Sequence, residues 1–244
     1  MNDLVAAELL KLRTTRLLLW LIPSSVALSA AAVIGTVIAE DDARRLITDD
    51  GVERVFSVAG TGAIVVLVAG ILISAGEYRH GTAADTFLTT PRRERVLVAK
   101  LAVGGLLGLA VGAVTAIVSV GLAAVLYALD GVTFPIGDAA VWLTLAGTLL
   151  YTALFAVLGV AVGALLRNQV LAVATSLAWL AIIEHTLVNL VASIGRWLPA
   201  AAGQAIVRTP LDGLLSAPVG VAVLCGYAIA ASLAALRVAE TRDA

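Results

Sequence analysis

Six uncharged, strongly apolar runs divide this chain, at residues 17–39, 55–76, 101–129, 139–166, 168–183 and 213–236. Most of them reach or exceed the ~20 residues that an α-helix needs to cross ~30 Å of hydrocarbon. Inside a bilayer every backbone N–H and C=O must find a partner within the protein, so only helices and closed barrels span it. Barrel strands are short and alternate in polarity, whereas these runs are continuous and rich in Ala, Leu, Val and Gly. They read as helices. With 61% hydrophobic and 14% charged residues among 244, little is left for a soluble domain. The expected fold is all-α integral membrane: one transmembrane domain over 1–244, six spans with the fifth continued to residue 191, and no nucleotide-binding domain.

Lys and Arg are retained on the cytoplasmic side of a span, while acidic residues count for little. With the N-terminus inside, Lys11, Arg13, Arg16, Arg79, Arg92, Arg93, Arg95, Lys100, Arg167, Arg237 and Arg242 are cytoplasmic, and Arg44, Arg45, Arg54, Arg196 and Arg208 are outside. Both termini are therefore expected in the cytoplasm, in a multi-pass protein of the plasma membrane. The first outer loop, EDDARRLITDDGVER, mixes six acids with three arginines and reads as a solvated surface unsuited to nucleic acid.

The N-terminal apolar run stays uncharged to Ala39, longer than the 7–15 residues of a signal-peptide core, so it is read as a retained span. Residues 2–16 before it form a helical pattern of their own. Val5, Leu9 and Leu12 share a stripe, with Glu8 and Lys11 spaced as an i,i+3 pair beside it and Leu10 off it, so the segment is expected along the inner membrane surface.

Chemistry-bearing motifs are sparse. The single Cys225 excludes an intrachain disulfide, and His80 and His185 are too distant in sequence to suggest a metal site with it. There is no HExxH, no GxSxG and no GxxxxGK[ST] phosphate loop, and Lys11 and Lys100 are the only lysines. No enzyme activity is expected of this chain, and no metal. Glycines recur at four-residue spacing at Gly104, Gly108 and Gly112, and at Gly159 and Gly163, marking faces where helices approach closely, within the chain or between two copies.

The most informative loop is GEYRHGTAADTFLTTPRRERVLVAK, residues 76–100. Thr82 with Asp85 gives one helix start, and Thr90 before Pro91 a second, so a short helix, a turn and then the third span are expected. Phe87 and Leu88 put apolar bulk on the short helix, while Arg92, Arg93, Arg95 and Lys100 gather where anionic headgroups lie.

With AELLKLRTTR at 7–16, this loop, and a break near WLPAAAGQAI at 197–206, the chain resembles the membrane subunit of type-2 ATP-binding-cassette exporters. That resemblance implies an amphipathic connecting helix carrying Glu8, Lys11, Arg13 and Arg16. It also implies a cytoplasmic coupling helix between spans 2 and 3 that docks on a separate ATPase through Glu77, Tyr78, Arg79, Gly81 and Thr82, with Phe87 and Leu88 following. ATP and Mg would be bound by the ATPase and not by this chain. Two membrane subunits, as a homodimer, would enclose the path and export a small amphiphilic, drug-like or lipid-like substrate by alternating access. The alternative is a non-transporting anchor or sensor that uses the same loop to recruit a cytoplasmic partner.

The fifth run is short: 16 uncharged residues lie between Arg167 and Glu184, or ~24 Å of helix. Two readings stand. Glu184, His185 and Asn189 face a pathway or an outer gate, or Glu184 is simply solvated at the interface. In the resembled family short re-entrant helices follow this span, and Pro199 and Pro210 bracket a candidate piece.

Overall fold

The computed structural model describes residues 2–14, 16–81 and 92–241, and all their regular structure is helical. Helix α1 (Asn2–Thr14) precedes the first span, α2 (Arg16–Ile38). A 3-10 turn at Ala43–Ile47 leads to α3 (Asp49–Ser57), a second 3-10 stretch at Val58–Gly62, and α4 (Ala63–His80). Then come α5 (Arg93–Leu129), α6 (Ala139–Leu166) and α7 (Gln169–Ala178). A π-helical segment at Trp179–Glu184 continues α7 into α8 (His185–Leu190). Short α9 (Ala192–Gly195) and α10 (Pro199–Ile206) precede the last span, α11 (Ala217–Thr241). Six of these helical stretches are long and apolar enough to cross a membrane.

The second span begins earlier in the chain than its uncharged run suggests. Thr48 caps α3 by accepting the Gly51 N–H, and Asp49 and Asp50 sit in the first turn, where the helix dipole favours acids. The spanning stretch therefore runs from Asp49 to Arg79. Its 3-10 break leaves backbone groups that α2 satisfies: the Ser25 hydroxyl donates to Gly62 O, and Ser29 donates to Ala59 O while accepting the Gly62 N–H. Such side-chain pairing is what lets an irregular backbone persist at membrane depth.

The loop over residues 40–54 corrects the solvated reading in part. Asp41, Asp42, Asp49 and Asp50 stay at the surface and Glu40 pairs with Arg45 and Arg54, but Leu46 and Val52, with Val55 and Phe56 just after the loop, are buried with Val33, Val37 and Tyr127, and the Tyr127 hydroxyl donates to Leu46 O. Burying those apolar side chains outweighs leaving the loop free in water.

Helix α6 is the central element, packed against α4, α5 and α11. Both glycine rows are used inside the chain. A Cβ on Gly159 would lie 2.1 Å from Leu67 O of α4, and one on Gly108 would lie 2.5 Å from Thr152 O of α6. The backbones approach as closely as they do because those side chains are absent.

Candidate functional site

Both lysines of the chain meet in one place. Helix α1 presents Glu8 and Lys11 one turn apart, and the predicted i,i+3 pair forms, with Glu8 Oε1 to Lys11 Nζ at 2.7 Å. Glu77 comes from the last turns of α4, and Lys100 from the third turn of α5. Glu77 Oε1 accepts from Lys11 at 2.7 Å and from Lys100 at 2.8 Å, while Lys100 also donates to Glu8 Oε2 at 2.8 Å. The four groups close a ring of alternating sign. Lys100 gives its remaining N–H to Ile73 O at 3.3 Å, so all three ammonium donors are engaged.

Burial explains why the ring must be complete. The side chains of Lys100, Glu8 and Glu77 are 6%, 7% and 13% exposed, and Lys11 closes the ring at its wet edge with 45%. A charge this far from water is tolerated only when paired and hydrogen-bonded. Burial lowers the Lys11 pKa, but hydrogen bonds to Glu77 and Glu8 and their charges outweigh it and hold the group above 10.5. Leu12 adds apolar packing against the cluster that holds Leu101 and Leu236. Leu9 of the same stripe is less engaged, 39% exposed, and Leu10, off the stripe, is 62% exposed.

The ring ties the first helix to both helices that flank residues 81–92. Gly81 ends α4 in the left-handed region, φ 71°, with its N–H donating to Glu77 O. Tyr78 lies under the Arg167 guanidinium, 5.6 Å from the ring centroid, which joins the end of α4 to the end of α6. Arg79 is exposed. Thr82, Phe87 and Leu88 lie outside the described residues, as do the side chains of Arg13 and Arg16.

Lys100 departs from its expected place among headgroup-facing cations, because Glu8 and Glu77 draw it inside. Arg92 and Arg95 are exposed and Arg93 is half-buried. The residues expected at the opposite end are also separated. Glu184 is 2% exposed, and its Oε1 accepts the Ala200 and Ala201 N–H groups at the start of α10. It is neither solvated nor grouped with His185 and Asn189, which are exposed. Asn189 Nδ2 donates to His185 O within its own helix. Between the α3–α4 junction, α7 and α10 lies a mostly apolar cavity of about 540 Å³, edged by Thr61, Ile64, Tyr151, Leu180 and Gln204.

Sequence reasoning found the Glu8–Lys11 pair but not its closure through Glu77 and Lys100. The available signal was scarcity: two lysines in the whole chain, both at span ends that share one side.

Six apolar spans, an N-terminal helix clamped to the second and third of them, and a short helix folded back beside the last define a multi-span helical membrane protein. The chain belongs to the ABC-2 family of transporter proteins, whose family model matches residues 4–183. The match covers α1, the charge ring and the spans up to the π-helical segment. Comparison with curated proteins gave no match.

Proposed function

We propose that this chain is the permease half of an exporter, and that the ring of Glu8, Lys11, Glu77 and Lys100 transmits the stroke of a separate ATP-binding-cassette ATPase. The ring carries the proposal because it makes α1, α4 and α5 one mechanical unit around residues 81–92, so a push on that loop reaches two spans and the N-terminal helix together. ATP and Mg belong to the partner, and two copies of this chain, as a homodimer in the plasma membrane with both termini cytoplasmic, enclose the path. The cavity beside Tyr151 and Gln204, apolar with a few hydroxyl and amide groups, suits a small amphiphilic, drug-like or lipid-like cargo.

Purification of the tagged chain in mild detergent tests the reading. A stoichiometric ATPase should co-purify, and Gly81→Pro should leave insertion intact while abolishing substrate-stimulated ATP hydrolysis. Unchanged stimulation by a folded Gly81→Pro protein sinks the assignment, and a pure ATPase-free oligomer shifts the reading to an anchor or sensor subunit.

A further inference from the structure

The cavity between the α3–α4 junction, α7 and α10 lies at membrane depth: Thr61, Tyr151 and Leu180 on its walls fall in the middle third of their spans. Its volume of about 540 Å³ is that of a small-molecule site. Val58, Ile64, Leu177, Leu180 and Val207 make it apolar, and among the described residues none that lines it is charged. Glu184 follows soon after Leu180 and Ala181 but does not line it. That carboxylate is 2% exposed, and its Oε1 is committed to the Ala200 and Ala201 N–H groups.

Two polar groups on these walls are unused. The Tyr151 hydroxyl and the Gln204 amide make no hydrogen bond to any described residue, although Tyr151 is only 6% exposed. Thr61 and Ser57, by contrast, donate to Val58 O and Arg54 O, which leaves their oxygens as acceptors. The Tyr151 ring is held at both edges. A Cβ on Gly203 of α10 would overlap one edge, and a Cβ on Gly60 of the 3-10 stretch would lie 3.1 Å from the other. Phe155 packs edge-on against the same ring, with centroids 4.5 Å apart. A phenol fixed in place beside open space, without a partner at membrane depth, is costly unless a guest completes it.

We infer that this cavity receives an uncharged amphiphile with a hydroxyl-bearing head, a monoacylglycerol being a simple member of the class, and that Tyr151 and Gln204 select it. A hydroxyl both donates and accepts, so such a head matches the unused phenol and amide as well as the acceptor oxygens of Ser57 and Thr61. A charged head finds no such match. With no counter-charge on the walls, it would lose its hydration and gain no ion pair in return. The apolar chain of the guest is taken by Ile64, Leu177 and Leu180. That the guest is cargo rests on the exporter reading above; that it binds here does not.

A diazirine-bearing monodecanoylglycerol, photo-cross-linked to the purified full chain in phosphatidylcholine nanodiscs, tests it, with peptide mapping of the label and competition by unlabelled amphiphiles. Label should map to residues 57–64 and 177–181. Monodecanoylglycerol should compete about tenfold better than decanoate or decyltrimethylammonium, whose charge the walls leave unpaired. Tyr151→Phe and Gln204→Leu should each weaken its competition about three- to tenfold, the worth of one hydrogen bond, and should leave the weaker competition by headless decane unchanged. Equal losses for decane and monodecanoylglycerol reduce both residues to packing and overturn their selective role. Label outside the cavity, or equal competition by the charged amphiphiles, overturns the site. Preference for decyltrimethylammonium transfers recognition to Glu184 and overturns the uncharged assignment. If Tyr151→Phe fails to fold, Gln204→Leu and the wild-type competition series still decide. An ATPase-free preparation that discriminates in this way supports the site and counts against the exporter reading alone, whereas a co-purified ATPase with unselective label overturns the site and leaves that reading standing.

Discussion

Glu8 and Lys100 are separated by 92 residues in the chain and by 2.8 Å in the fold, each more than nine-tenths buried. Removing one partner strands the other in low dielectric. Lys100→Met should therefore cost roughly 3–5 kcal/mol, read as a large fall in the melting temperature of the detergent-solubilised protein. Glu8→Gln should cost less, because the amide still offers an oxygen. A double-mutant cycle should give a coupling energy well above that of a surface pair.

The alkaline limb of stability reports the same ring. Lys11 has its folded pKa raised above 10.5, so its contribution is fully present below that value and is lost as pH rises through the folded pKa. Melting temperatures of wild type and Lys11→Met should keep a constant gap from pH 7 to pH 9, and the gap should close only above about pH 10.5. A gap that closes between pH 7 and pH 9 contradicts the arrangement.

Glu184 caps α10, and its loss should be felt there first. Glu184→Ala removes the acceptor for two backbone N–H groups and should cost about 1–3 kcal/mol. Glu184→Gln keeps an acceptor and should cost less. A cysteine placed at Gln204 should become more reactive to a water-soluble maleimide in the alanine variant than in the wild type.

Glycines at helix contacts and glycines facing open space should respond in opposite ways. Gly159→Ala forces a Cβ toward Leu67 O and should destabilise by about 1–3 kcal/mol. Gly121, where a Cβ meets nothing within 4 Å, should tolerate Ala or gain about 0.5–1 kcal/mol from helix propensity. Both effects should appear in thermal melting.

The spans were legible in the sequence because lipid admits so few solutions: a long uncharged run has to be a helix, and run length locates it. Boundaries drifted where polar residues extend a helix beyond the bilayer, as at Asp49 and Arg93, since absence of charge marks hydrocarbon and not helix. The site was half legible. The Glu8–Lys11 spacing is a local fact, but joining it to Glu77 and Lys100 depends on how three helices pack, and no local pattern encodes that. Glu184 stood out in the sequence as a charge at membrane depth, yet its partners are backbone amides 16 and 17 residues away, which carry no side-chain signature. The loop acids were read as solvated because charge is conspicuous, while the buried residues between them, Leu46 and Val52, and just after them, Val55 and Phe56, are individually unremarkable.

Helix α5 runs 37 residues from Arg93 to Leu129 without a proline, ~55 Å at 1.5 Å per residue, nearly twice the thickness of the hydrocarbon it crosses. A rod of that length has the geometry of a lever. Pivoting by about 5° around its contacts with α6 near Gly108 would swing its two ends in opposite directions, by ~2 Å at Arg93 and ~3 Å at Leu129, on the geometry of a rigid rod of that length. Lys100 sits on the short arm beside residues 81–92, and Tyr127, bonded to Leu46 O, sits on the far arm. A displacement at the Lys100 end would thus reach the Tyr127 end as motion of the opposite sense, with no need for the intervening helix to bend.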